Sequence, residues 1–177
     1  MQTELSMSIE ELHKLYAHNV YRYAYRRILD IDTAKQITND TFRIAWQRGI
    51  PPSNEPLPWL LVTAKNLVRN EQRAQGREAR LASKAAAAQV LAQRDHGPDN
   101  LSEQVQLILQ SLREKDREAL MLAYWDSLPM AEIAAVMQCS IESAKSRLFR
   151  ARKAFARKAP SNVSKGGSIT WTTSKNS

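Results

Sequence analysis

Met130–Phe155 reads MAEIAAVMQCSIESAKSRLFRARKAF, and the reading of this stretch decides the fold. Its first part is apolar at helical spacing. Gln138-Cys139-Ser140 is a tight polar break, and a longer helical segment follows. In that second segment Ala144, Leu148, Ala151 and Phe155 fall on one face, the stripe of an amphipathic helix. Lys145, Ser146, Arg147, Arg150, Arg152 and Lys153 fall on the other. A helix, a turn of about three residues and a second helix with a basic face form the sequence pattern of a helix-turn-helix. Ser140 is placed to cap the second helix.

The early turns of such a second helix enter the major groove, where each base pair presents its own pattern of donors and acceptors. Lys145, Ser146, Phe149 and Arg150 lie within those turns, with 145 above 149 and 146 above 150. Lysine and arginine can donate to guanine edges, and the Phe149 ring can rest on a thymine methyl. Arg147, Arg152, Lys153 and Arg157 are better placed for phosphates. No acidic residue stands between Lys145 and Ala159. The competing reading is a solvated basic face on a C-terminal helix, and the turn chemistry weighs against it.

Outward from this element, the chain is poor in glycine and rich in Ala, Leu, Glu, Lys and Arg, which predicts an all-α fold. At 177 residues it has room for one large or two small domains. Its net charge of +8 favours a polyanionic partner, but only the clustering of that charge on particular helices carries weight. Cys139 is the single cysteine, so no internal disulfide is available, as expected of a reducing cytosol. The N-terminus lacks a signal-peptide pattern, and no apolar run approaches membrane-spanning length, so a cytoplasmic protein without a membrane is expected. His13, His18 and His96 have no metal-like spacing with Cys139. No phosphate loop or nucleophile–base set is evident, so no metal, no cofactor and no enzyme activity is expected.

Ser8 to Glu11 has the form of a capping box. The helix it opens carries Leu12, Leu15, Tyr16, Val20, Tyr23, Ala24 and Ile28 as its apolar stripe, with Arg22, Arg26 and Arg27 read as lying off it. Asp32 or Thr33 is the candidate cap of a second helix, apolar at Ile37, Thr41, Phe42, Ala45 and Trp46 and ended by Gly49. Four prolines between Ile50 and Pro58 break the helix, and Trp59 is expected to open a third. Trp59, Asn66, Arg69 and Arg73 combine an aromatic, an amide and two guanidinium groups, a set suited to unstacked bases and a single-stranded backbone. Trp59 beside an apolar helix is more often a core residue, and that reading is the stronger of the two. The predicted layout is a helical domain over 1–75, a partly helical linker over 76–99, a four-helix domain over 100–159 and a disordered tail over 160–177.

These segments, in this order, resemble a bacterial RNA polymerase sigma factor of the extracytoplasmic-function (ECF) group. Asp32–Trp46 looks like that family's core-polymerase-binding helix, Pro58–Arg73 like its −10 recognition helix, and Leu112–Ala159 like its −35 recognition domain. The resemblance implies binding to the β and β′ subunits of the polymerase core through Ile37, Asn39, Asp40, Phe42 and Trp46. It implies −10 contacts from Trp59, Asn66, Arg69 and Arg73, and −35 contacts from Ser143, Lys145, Ser146, Arg147, Phe149 and Arg150. It also implies an anti-sigma factor as a partner, and no homo-oligomer is expected. The sequence departs from the family at Lys35-Gln36, where an acidic pair is usual, at Gln138, where glycine is usual, and at Glu142, where a small residue is usual. The alternative function is a stand-alone helix-turn-helix regulator that dimerises on paired half-sites, although no dimerisation heptad supports it.

Overall fold

Local capping and proline chemistry place the helix boundaries. The computed structural model describes residues 7–51, 54–82 and 103–159. These residues form α1 (Ile9–Ile28), α2 (Ile31–Arg48), α3 (Pro56–Ala82), α4 (Glu103–Gln110), α5 (Glu114–Tyr124), α6 (Met130–Val136) and α7 (Ile141–Lys158), with no strand among them. The expected flexible half of the linker and the expected disordered tail lie outside the described residues.

The Ser8 capping box forms as read: the Glu11 N–H donates to Ser8 Oγ at 3.2 Å, and the Ser8 N–H donates to Glu11 Oε2 at 2.9 Å. Helix α1 ends at Leu29, which takes a left-handed conformation at φ 59°. That stop sets the next cap earlier than Asp32 or Thr33. Asp30 is already extended, and its carboxylate accepts the Thr33 N–H at 2.7 Å. Gly49, at φ 69°, ends α2. Helix α3 begins at Pro56, ahead of the expected Trp59. Pro56 and Pro58 both sit in its first turn, where the missing N–H costs no helical hydrogen bond.

Helices α1, α2 and α3 pack on one another; α5 and α6 pack on α7, α4 touches α7, and α3 meets α6. One apolar cluster gathers Val20, Tyr23, Ala24, Ile37, Phe42, Leu60, Leu61 and Ala64. It continues without a break into Leu122, Ile133, Val136 and Ala144 of the C-terminal half. A second cluster, Val105, Ile108, Leu109, Leu120, Leu148 and Phe155, holds α4, α5 and α7 together. The helix-turn-helix is therefore seated on α3 through apolar surface as well as through its own core.

Three readings of helical faces need correction. Leu15 is 57% exposed and Trp46 71% exposed, so neither joins the interior. Leu15 lies about 60° around the helix from Leu12, on the side away from Val20 and Tyr23, too far for a single buried stripe to include. Arg26 and Arg27, read as lying off the apolar stripe, have almost fully buried side chains. Arg27 follows Tyr23 by one turn on the same face, and α5 covers both.

Candidate nucleic-acid interface

Helix α7 is fixed at its start, its middle and its end. Ser140 Oγ accepts the Ser143 N–H at 3.1 Å, and the two hydroxyls are 3.0 Å apart, so Ser143 takes part in the cap. Gln138 holds the preceding turn at φ 53°, the left-handed region that explains why glycine is usual there. Ala144, Leu148, Ala151 and Phe155 are buried, as the stripe predicted. The phenol of Tyr124 accepts from Arg152 Nε at 2.5 Å. Lys158 Nζ donates to Ser111 O at 2.9 Å, tying the last turn to the end of α4.

With its apolar stripe buried, α7 turns Lys145, Ser146, Phe149 and Arg150 to solvent, and Phe149 is 57% exposed. Lys153 Nζ lies 4.7 Å from the Phe149 ring centre. Arg147 points elsewhere: it is half-buried and lines the cleft between α3 and the C-terminal half.

On α3, Asn66, Arg69 and Arg73 are exposed. With Trp59 they fall within about 80° of one another around the helix, a single face. Trp59 is half-buried and packs against the core, so its ring serves partly as packing. On α2 the five expected polymerase-binding residues divide. Ile37 and Phe42 are buried, with Phe42 4.8 Å from the His13 ring. Asp40 pairs with Arg43 at 2.8 Å. Asn39 and Trp46, seven residues apart, share the exposed face.

A charged network that the sequence did not reveal joins the two halves. Glu118 of α5 accepts from the Tyr23 hydroxyl at 2.7 Å and from Arg27 Nε at 3.0 Å. Asp126 accepts from Arg26 and from Arg27, each at 3.2 Å. The guanidinium of Arg27 also lies over the Tyr23 ring, 3.5 Å from its centre. The Arg27, Glu118 and Asp126 side chains are 7%, 14% and 6% exposed. At that burial, loss of one partner of such a pair typically costs about 3–5 kcal/mol, because the remaining charge stays desolvated. Nearby, Lys65 Nζ donates to Val136 O at 3.3 Å, and Arg69 pairs with Glu114 at 3.2 Å in solvent-exposed surroundings. Between these contacts lies a basic cleft of about 780 Å³ lined by Lys65, Arg69, Lys115, Arg117 and Arg147.

Burial of the Glu118 carboxyl favours its neutral form, but Arg27 and the bonds from Tyr23 and Arg27 prevail and hold its pKa below the usual 4.5. Burial raises the pKa of Tyr23 well above 10, so the phenol remains a donor. Burial lowers the pKa of Lys65, against the pull of Glu118. Glu132 shifts the other way, raised first by burial and then by the Glu55 carboxylate. A depressed carboxyl adds stability above its unfolded pKa and loses it as pH falls through the folded value. A raised carboxyl opposes folding at neutral pH and ceases to do so as it is protonated. We therefore expect Glu118→Gln to lower the melting temperature at pH 7 and to remove part of the acid-induced loss below pH ~4.5. Glu132→Gln should raise the melting temperature at pH 7. Melting curves from pH 3 to 8 on the three proteins check both signs.

Among the described residues no helix is long and apolar enough to cross a membrane, and no group of three or more His, Cys, Asp and Glu could hold a metal ion. Residues 102–155 match the family model for sigma-70 region 4. The ECF RNA polymerase sigma factor SigK of Mycolicibacterium vanbaalenii is 31% identical over 141 residues, 73% of this chain and 70% of that protein. ECF sigma factor SigM of Bacillus subtilis is 27% identical over 83% of this chain and 92% of its own length. Among the solved structures that share the fold are two complexes. One is the sigma factor RpoE of Bartonella quintana in complex with the anti-sigma factor NepR, with TM-score 0.63 and 22% identity over 84% of this chain and 94% of that one. The other is CnrH in complex with the cytosolic domain of CnrY, with TM-score 0.59 and 21% identity over 84% of this chain and 85% of that one. The arrangement is that of an all-α sigma factor. The chain belongs to the ECF group of RNA polymerase sigma factors, which direct promoter-specific transcription initiation. That family consists of DNA-recognition regulators rather than enzymes.

Proposed function

We propose that this sigma factor grips its promoter at two points. Helix α7 reads the −35 element through Lys145, Ser146, Phe149 and Arg150, with Ser143 setting the helix start; Arg147, turned into the cleft toward α3, stands apart from that face. The α3 face of Trp59, Asn66, Arg69 and Arg73 meets the −10 element. The exposed face of α2, with Asn39, Asp40 and Trp46, docks on the β and β′ subunits of the polymerase core, and Ile37 and Phe42 support that face from beneath. Residues 1–75 and 100–159 act as the two DNA-engaging units and 76–99 as their connection. An anti-sigma factor is the regulator to expect, since the sigma factor RpoE of Bartonella quintana, which has the same fold, forms a complex with the anti-sigma factor NepR.

The observation that carries this reading is the exposed Phe149 between Lys145 and Arg150 on a capped, otherwise well-packed helix. Neither unit alone presents a large surface, so tethering both to polymerase supplies the effective concentration for tight binding. Run-off transcription with purified core polymerase over a genomic library is the test. Discrete start sites should appear only with both proteins present. Tight specific binding by this chain alone, with no gain from core, would support the stand-alone regulator, a reading that the similarity across both halves of the chain disfavours.

A further inference from the structure

Glu142 is the only acidic residue of α7, and it stands in the first turn. Ser146, Phe149 and Lys153 follow it at four, seven and eleven positions. At about 100° per residue they lie within about 40° of it around the helix. Lys145 lies about 60° to one side of that line and Arg150 about 80° to the other. Glu142 is itself exposed, so it heads the solvent face that α7 leaves after burying Ala144, Leu148, Ala151 and Phe155.

Helix stability accounts for an acid in this turn but not for its place on this face. A carboxylate near a helix N-terminus meets the positive end of the macrodipole. The same charge at position 141 or 143 would do so equally, and it would lie about 100° away from the line of Ser146 and Phe149. Nor does the carboxylate serve a contact within the protein. Among the described residues it accepts no hydrogen bond and forms no ion pair, although Lys145 stands one turn on. The helix start is held instead by Ser140, whose Oγ accepts the Ser143 N–H.

An ionised carboxyl group accepts hydrogen bonds and donates none. In the major groove it finds a donor on two bases only, at cytosine N4 and adenine N6. Adenine sets its N7 lone pair beside that amino group and repels a carboxylate, and guanine and thymine offer acceptors alone. The seven residues from Glu142 to Phe149 span about 10 Å, or about three base pairs at 3.4 Å each. Resting on the reading of α7 as the −35 helix, we propose that Glu142 is a specificity-determining residue. It selects cytosine at one base pair of the −35 element, about three pairs from the one that Phe149 touches, and rejects guanine and thymine there. The cations Lys145, Arg150 and Lys153 on the same side of the helix offset its repulsion by nearby phosphates.

The test uses holoenzyme assembled from core polymerase and the full chain. Duplexes carrying a promoter mapped by run-off transcription and randomised over the −35 element are bound, and the bound fraction is sequenced. The proteins compared are wild type, Glu142→Ala, Glu142→Gln, and Lys145→Ala with Arg150→Ala. Wild type should favour cytosine over guanine and thymine by about tenfold at one position, the effect of one good base contact. Glu142→Ala should lose that preference and keep the others. Glu142→Gln should move it to adenine, since a glutamine amide pairs with adenine N6 and N7. A purely structural role at the helix start would lower the melting temperature and weaken binding at every position alike, and that outcome overturns the proposal. Tighter binding of Glu142→Ala to all sequences equally also overturns it, because Glu142 then only repels phosphates. If Lys145→Ala with Arg150→Ala alters the sequence profile and both Glu142 variants keep the wild-type one, the Glu142 inference alone fails. If the paired variant also keeps the wild-type profile, the −35 reading of α7 fails and the inference falls with it.

Discussion

Lys145→Ala combined with Arg150→Ala is expected to reduce specific run-off transcription by at least about thirtyfold while leaving polymerase binding intact. Each good base contact by such a side chain is worth about 1–3 kcal/mol of discrimination. Two of them supply about 2–6 kcal/mol, and each 1.4 kcal/mol is about tenfold. Both side chains are exposed on a helix whose buried stripe and Ser140 cap remain, so the melting temperature should hardly move. Salt dependence separates two versions of this result. If the two residues read base edges, the double variant loses preference among −35 sequences. If they only neutralise phosphates, binding weakens on all sequences alike and the salt slope becomes shallower by nearly one per lost contact. Full activity in the double variant would remove α7 from promoter reading altogether.

The helix-turn-helix was legible because its determinants are local. The stripe Ala144, Leu148, Ala151 and Phe155, the cap at Ser140 and the polar break all lie within one short stretch, and all are found where the spacing puts them. The shared face of Trp59, Asn66, Arg69 and Arg73 was legible for the same reason, being one run of helical periodicity on α3. The charged network that joins the two halves was not. Tyr23 and Glu118 are 95 residues apart, and nothing in either segment names the other. One signal was present: Arg27 stands one turn after Tyr23 on the apolar side of α1, where an unpaired guanidinium would be too costly to bury. A charge on a buried stripe calls for a partner, but sequence cannot say which of eighteen acidic residues supplies it. Helical periodicity failed for Trp46 for a related reason. It treats any large apolar residue as interior, whereas a surface made to dock on another protein carries its apolar groups outside.

That exposed tryptophan gives the clearest separation of fold from function. Trp46 is 71% exposed near the C-terminal end of α2, and Phe42, one turn earlier, is 5% exposed and packed beside His13. Phe42→Ala opens a void in the interior and should cost about 3–5 kcal/mol of stability, lowering every activity together. Trp46→Ala removes a ring that contributes little to the fold, so melting should stay close to the wild type. Exposed tryptophans that become buried in an interface are frequently among its dominant contacts, worth about 2 kcal/mol or more on truncation. Binding to core polymerase should therefore weaken by about thirtyfold, read by competition against labelled wild-type protein. Binding of the free chain to single-stranded DNA should be unchanged, because Trp46 lies on α2 and the groups proposed to face DNA lie on α3 and α7. A Trp46→Ala protein that competes for core as well as wild type would place the polymerase contact elsewhere and leave the exposed ring for a different partner. Equal weakening in Trp46→Ala and in Asn39→Ala, seven residues away on the same face, would mark that face of α2 as the docking surface.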